Sequence, residues 1–206
     1  MRNGRLLWLR RDELDDGQRR LYDRIVGGAR GVGRLTPLMD DEGRLEGPFG
    51  PLLTNPGLGD ALQSVGAALR FAGTLPHATF ELLVLTVAAE RGSPYEWYGH
   101  LPLARAAGVD LRVIEAVRTG LAPKLRSAAD RDVLALAHAL LRHEDPGAGL
   151  VRDVETAYGA SGVTEIVAIV GYYDLIANLL LTWDTQLPQG VQDPLADRSH
   201  GAKQPI

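Results

Sequence analysis

Apolar residues recur along most of this chain at intervals of three and four, and nowhere do they alternate strictly with polar ones over several positions. The first spacing is that of one helix face and the second, absent here, is that of a half-buried strand. The expected fold is therefore all-α: a single-domain bundle of seven or eight helices with short connections and no strands. Leu14, Leu21, Tyr22, Ile25 and Val26 mark an amphipathic helix over 12–26, ended by Gly27-Gly28. Leu58, Leu62, Val65 and Leu69 mark another over 56–71, with Asn55 or Thr54 as cap and Pro56 in the first turn. Residues 78–90 are apolar on most sides (Phe80, Leu82, Leu83, Val84, Leu85, Val87), which predicts a central helix. Further helices are predicted over 94–107, stopped by Gly108; over 111–118, capped by Asp110; and over 128–142, opened by Ser127. Two more are predicted over 150–158 and 163–182, separated at Ser161-Gly162.

The periodicity fails in two places. Residues 30–56 are rich in Gly, Pro and Asp, and a stretch this long without periodic apolar positions suits a lid or binding loop. Within it, Gly47-Pro48-Phe49-Gly50-Pro51 is a stiff apolar turn, either laid over the core or forming the wall of a ligand pocket. Residues 187–206 also lack periodicity and read as a tail that is ordered only where it docks. The expected organisation is a helix and Gly/Pro-rich loop over 1–50 packed on the core, a helical domain over 51–188, and a tail over 189–206.

Composition narrows the function classes. The formal charge of −4 comes without a basic stripe, so no nucleic-acid partner is expected. The N-terminal arginines are interleaved with Asp12, Glu13, Asp15 and Asp16 and read as a solvated face. The apolar run over 166–183 is interrupted by Tyr172, Tyr173, Asp174 and Asn178, which predicts a buried helix rather than a membrane span. Residues 1–11 lack the apolar centre of a secretory signal, and a cytoplasmic location is expected. The sequence has no cysteine, which excludes disulfides, thiolate metal sites and thiol catalysis.

Candidate chemistry gathers in 81–100. Glu81 lies inside the nearly all-apolar helix, where a carboxylate costs several kcal/mol of desolvation unless paired or protonated. Ser93, Pro94 and Glu96 have the spacing of a capping box, so Ser93 and Glu96 can be explained as a helix start. Glu96 and His100 are four apart and share a helix face. If the two helices pack antiparallel, Glu81 meets that face, and two carboxyl groups with an imidazole make an acid–base set. The same residues could instead hold a divalent ion, but only one Glu-x3-His pair is present, and neither metal nor other cofactor is expected. His77, His138, His143 and His200 show no comparable pattern.

The order Glu81-x11-Ser93-x2-Glu96-x3-His100 resembles the carboxymuconolactone decarboxylase family, which includes the alkylhydroperoxidase-D-like proteins. Redox-active members of that family carry Glu-x11-Cys-x2-Cys-x3-His across this helix pair. The text after His100, with Ala104 and Gly108 in an A-x3-G spacing and a short helix to Gly120, is similar too. The resemblance spans roughly 51–188. It implies an all-helical homo-oligomer, trimeric or hexameric, with sites near subunit interfaces. It also implies two activities, of which thiol peroxidation is excluded because Ser93 and Glu96 stand at the cysteine positions. The other is decarboxylation of a small carboxylated lactone or related carbonyl compound without a cofactor. On that reading Glu81, Glu96 and His100 are catalytic, and Arg70, Trp97, Phe49 and Tyr95 bind the substrate. The rival reading is a small-molecule-binding or scaffolding oligomer without catalysis.

Overall fold

A computed structural model describes residues 1–28 and 35–197. It contains eight helices: α1 (Asp16–Gly27), α2 (Phe49–Leu52), α3 (Pro56–Phe71), α4 (His77–Arg91), α5 (Pro94–Ala106), α6 (Leu111–Thr119), α7 (Ala128–Leu141) and α8 (Gly147–Trp183). The most apolar helix is the axis of the bundle. Every residue of α4 from 79 to 89 is buried, and α5, α6, α7 and α8 pack around it. Leu83, Val84, Leu85 and Val87 are fully enclosed, each such side chain stabilising the fold by about 1.5–3 kcal/mol before chain entropy is subtracted. α4 separates two apolar clusters. One joins it to α7 and α8 through Val133, Leu136, Ile166 and Ile169, and the other joins it to α5 and α6 through Trp97, Ala104 and Ile114.

Local chemistry sets the helix ends. Asp15, Asn55, Asp110 and Ser127 each accept a hydrogen bond from a backbone N–H of the first turn. Gly92 (φ 60°) and Gly120 (φ 75°) close α4 and α6 in the left-handed conformation.

The structure departs from the periodicity in four ways. Two short strands, β1 (Arg2–Asn3) and β2 (Leu6–Leu7), form an antiparallel hairpin, and Met39 bridges Leu45. Strands of two residues are too short to display alternation. The hairpin turns at Gly4 (φ 59°) and docks on the end of α8, where the Arg5 N–H donates to Trp183 O at 2.8 Å. Second, residues 11–13 form a 3₁₀ turn, so α1 starts at Asp16. Third, the two predicted C-terminal helices are continuous across a kink at Gly159 (φ 71°, ψ 171°), not at Ser161-Gly162. Fourth, α3 is rotated relative to its apolar stripe: Leu62 and Leu69 pack on the core clusters, but Leu58 and Val65 are exposed, and Gly59, Gln63 and Gly66 are buried. The reason is a close approach, since a Cβ on Gly59 would lie 2.2 Å from Leu52 O.

α8 is long and apolar enough to cross a membrane by length and composition, yet Ile166, Ile169, Val170, Ile176 and Leu180 are buried within the bundle. The N-terminal segment has its own apolar cluster, built from Leu21, Ile25, Leu38, Leu45, Phe49 and Leu52, with Leu62 of α3 and Leu179 of α8 packed against it. Of the tail, Leu195 is buried in the cluster of α5 and α6. His200 lies outside the described residues, as does part of the 30–56 loop.

Candidate active site

The turn at Gly92 folds α5 back along α4, and this brings together residues 19 apart in sequence. His100 Nδ1 and Glu81 Oε2 are 2.7 Å apart, with the two side chains 12% and 7% exposed. A carboxylate at Nδ1 places the ring proton there, which leaves Nε2 available for chemistry. Tyr173 of α8 meets the imidazole edge to face, with ring centroids 5.1 Å apart and planes at 88°.

Glu96 lies one turn before His100 on α5. It is 4% exposed, and both of its carboxyl oxygens are buried without a hydrogen-bond partner. Desolvation pushes its proton affinity well above the usual carboxylate range; the Ser93 hydroxyl opposes this, and the charge of Asp174 adds to it. Asp174 is itself paired with Arg91 at 2.5 Å. Burial therefore favours the protonated form of Glu96.

The capping box expected at Ser93 is not formed. Ser93 occupies the N-cap position, but its hydroxyl makes no capping bond and lies buried beside the Glu96 carboxyl. The Glu96 side chain turns into the protein instead of back to the helix start, so helix capping does not account for it.

Glu96 and His100 open onto a cavity of about 70 Å³. Phe49 and Pro48 supply one wall, Arg70 of α3 another, and Tyr95 and Leu103 of α5 a third. Tyr172, Tyr173 and Ile176 of α8 close it. The Gly-Pro segment thus serves both readings of the sequence: it covers the core and also lines the cavity. Among the predicted site residues, Phe49, Arg70, Tyr95, Glu96 and His100 line this space, and Glu81 stands behind His100 as its partner. Trp97 does not line it. At 1% exposure it fills the cluster between α4, α5 and α6, its side chain turned about 100° round the helix from Glu96.

The lining residues not singled out in the sequence include Glu46, Tyr172 and Tyr173. Glu46 is 6% exposed, and burial, with the nearby Asp40 charge, raises its pKa to about 7 against the opposing pull of Arg44. Its only sequence signal is an acid beside the apolar Gly-Pro turn. Tyr172 and Tyr173 read in sequence merely as interruptions of an apolar run, although a polar tip in a buried helix is itself a signal. Among the described residues, no three His, Asp or Glu side chains converge as a metal-holding group.

The helical bundle, with a carboxylate-bound imidazole and a buried acid on one small cavity, has an alkylhydroperoxidase-D-like all-α fold. The crystal structure titled as the alkylhydroperoxidase AhpD core, an uncharacterized peroxidase-related protein from Ralstonia eutropha JMP134, superposes with a TM-score of 0.70, covering 92% of this chain and 94% of that one at 18% identity. At that identity the likeness is one of fold. Residues 56–139 match the model of the carboxymuconolactone decarboxylase family. No curated protein matches the chain.

Proposed function

We propose that the protein is a cofactor-free acid–base enzyme, a carboxy-lyase acting on a small carboxylated lactone or a related carbonyl compound. The observation that carries this reading is Glu96: a buried acid whose proton affinity is raised by desolvation, sharing a cavity with an imidazole held by Glu81. Arg70 supplies the positive charge that attracts the substrate carboxylate to the cavity mouth. On loss of CO₂ the C–C bonding pair passes into the conjugated carbonyl, giving a dienolate. The lactone oxygen then carries the developing charge, which a donor in a desolvated pocket stabilises strongly. Glu96 or protonated His100 returns one proton to carbon, and the next proton from solvent restores the acid. Glu81 acts through His100 as a positioning residue. The absence of cysteine leaves no route for thiol peroxidation.

The test is a turnover screen of small carboxylated lactones and keto acids for CO₂ release, with Glu96→Gln and His100→Ala in parallel. Each substitution is expected to lower kcat by about 10²–10⁴-fold, the usual contribution of a general acid. Full turnover by both folded variants would sink the assignment.

A further inference from the structure

Glu46 belongs to neither helix of the motif and lies outside the family-matched residues 56–139. Its backbone is fixed on both sides. The Glu46 N–H donates to Leu38 O at 2.9 Å, and Leu45 O accepts from Trp8 Nε1 at 2.8 Å. Gly47 (φ 61°) follows, pressed so closely on Tyr95 that a Cβ there would lie 2.3 Å from the ring. These constraints hold the Glu46 side chain against the same cavity as Glu96 and His100.

A structural carboxylate at this place would use Arg44, the cation on its own segment. Arg44 is instead committed to Asp40 at 2.8 Å and Glu42 at 3.0 Å. Glu46 Oε2 is buried and has no hydrogen-bond partner. A buried polar atom without a partner is a standing cost in the free protein, removed when a ligand supplies the missing contact. The surroundings define that ligand. Pro48, Phe49, Leu52 and Ile176 make the cavity walls apolar, and the volume admits only a small molecule.

We propose that Glu46 is a substrate-binding residue, donating its carboxyl hydrogen to a carbonyl oxygen of the bound lactone or keto acid. This rests on the reading of the cavity as the substrate site and adds to it an acid from outside the family-matched segment. The groups facing Glu46 are Asp40 and Arg44 from its own segment, Arg70 from α3, Tyr95, Glu96 and His100 from α5, and Tyr172 and Tyr173 from α8. With a pKa of about 7, Glu46 is roughly nine-tenths protonated at pH 6 and one-tenth at pH 8, so the donor is present at the first pH and largely lost at the second.

The probe is γ-butyrolactone, a carbonyl compound without a carboxylate, titrated into the full chain by NMR at pH 6 and pH 8. Wild-type affinity is expected to fall about fivefold or more between the two. Glu46→Gln keeps an N–H donor at both pH values, and its affinity should change by less than twofold. Glu46→Leu is expected to bind about tenfold more weakly than wild type at pH 6, the worth of one hydrogen bond. The proposal is overturned if Glu46→Leu binds as wild type does, if Glu46→Gln shows the wild-type pH dependence, or if the folded wild type shows no saturable binding. Failure of the lyase reading looks different: no lactone or keto acid releases CO₂, while the Glu46-dependent binding persists.

Discussion

Glu46 and Glu96 hold their protons in the folded protein at pH values where the unfolded chain has released them, because burial penalises the charged form. A raised folded pKa means that the folded state binds more protons, so stability falls as pH rises. For Glu46 the contribution is complete below its ordinary value of 4.5 and is lost by about pH 7, with Glu96 acting in the same direction. Denaturant unfolding should show the wild type losing stability from pH 5 to pH 8, with the Glu46 share on the order of 1–3 kcal/mol. Glu46→Gln should lose correspondingly less; an unchanged slope would show that Glu46 titrates normally. Glu81 belongs to the same scale. Glu81→Gln removes the charge that orients His100, and turnover should drop at least tenfold, with the acid–base limbs of the pH–rate profile displaced. The residue pattern made the Glu81–His100 pair legible, because the two positions flank a glycine turn at a fixed spacing. It did not reveal Glu46, whose burial comes from contacts with segments far along the chain.

At the scale of elements, the bend of α8 depends on one residue. Gly159 adopts φ 71° and ψ 171°, a region open in practice to glycine alone. Gly159→Ala should destabilise the fold by about 1–3 kcal/mol, read as a lower Tm, although open space surrounds the position and no clash is involved. Gly47→Ala combines the same backbone strain with a collision against Tyr95. It should cost more than about 1 kcal/mol and also weaken ligand binding, since Tyr95 and Glu46 both line the cavity. Helix starts were legible because capping is local: Asn55, Asp110 and Ser127 all act as the spacing predicts. Ser93 has the same spacing and makes no cap, because the interior claims the Glu96 side chain that would complete the box.

At the scale of the molecule, the outward face of α3 is apolar and exposed among the described residues. Leu58, Ala61, Val65, Ala68 and Ala72 are exposed at alternating intervals of three and four, the spacing of a helix–helix seam. α8 lies beside α3, where Glu165 accepts from the Thr74 N–H at 2.8 Å, and it exposes Val167, Leu175 and Leu181. Apolar exposure of this extent is usual at association surfaces. We propose self-association through it, to the trimer or hexamer that the family resemblance implies. Sedimentation should give such an assembly, and the double substitution Leu58→Glu, Val65→Glu should lower its mass without changing helicity. A wild-type monomer would rule the idea out.

By itself the sequence determined the helical class, the order and approximate ends of the elements, the family resemblance of the central segment and the exclusion of thiol chemistry. Each of these rests on local spacing or on composition, which contacts between distant segments do not alter. Tertiary structure alone decided which face of α3 is buried, that Trp97 packs in the core rather than in the cavity, and that Glu96 is a buried acid rather than a helix cap. It also added Glu46 to the site. Those outcomes depend on which segments touch: a glycine that lets two backbones approach, a turn pressed on Tyr95, an N-terminal loop folded over α5. Local periodicity carries no record of such encounters, and the burial that sets the proton affinities of Glu46 and Glu96 arises only when they are made.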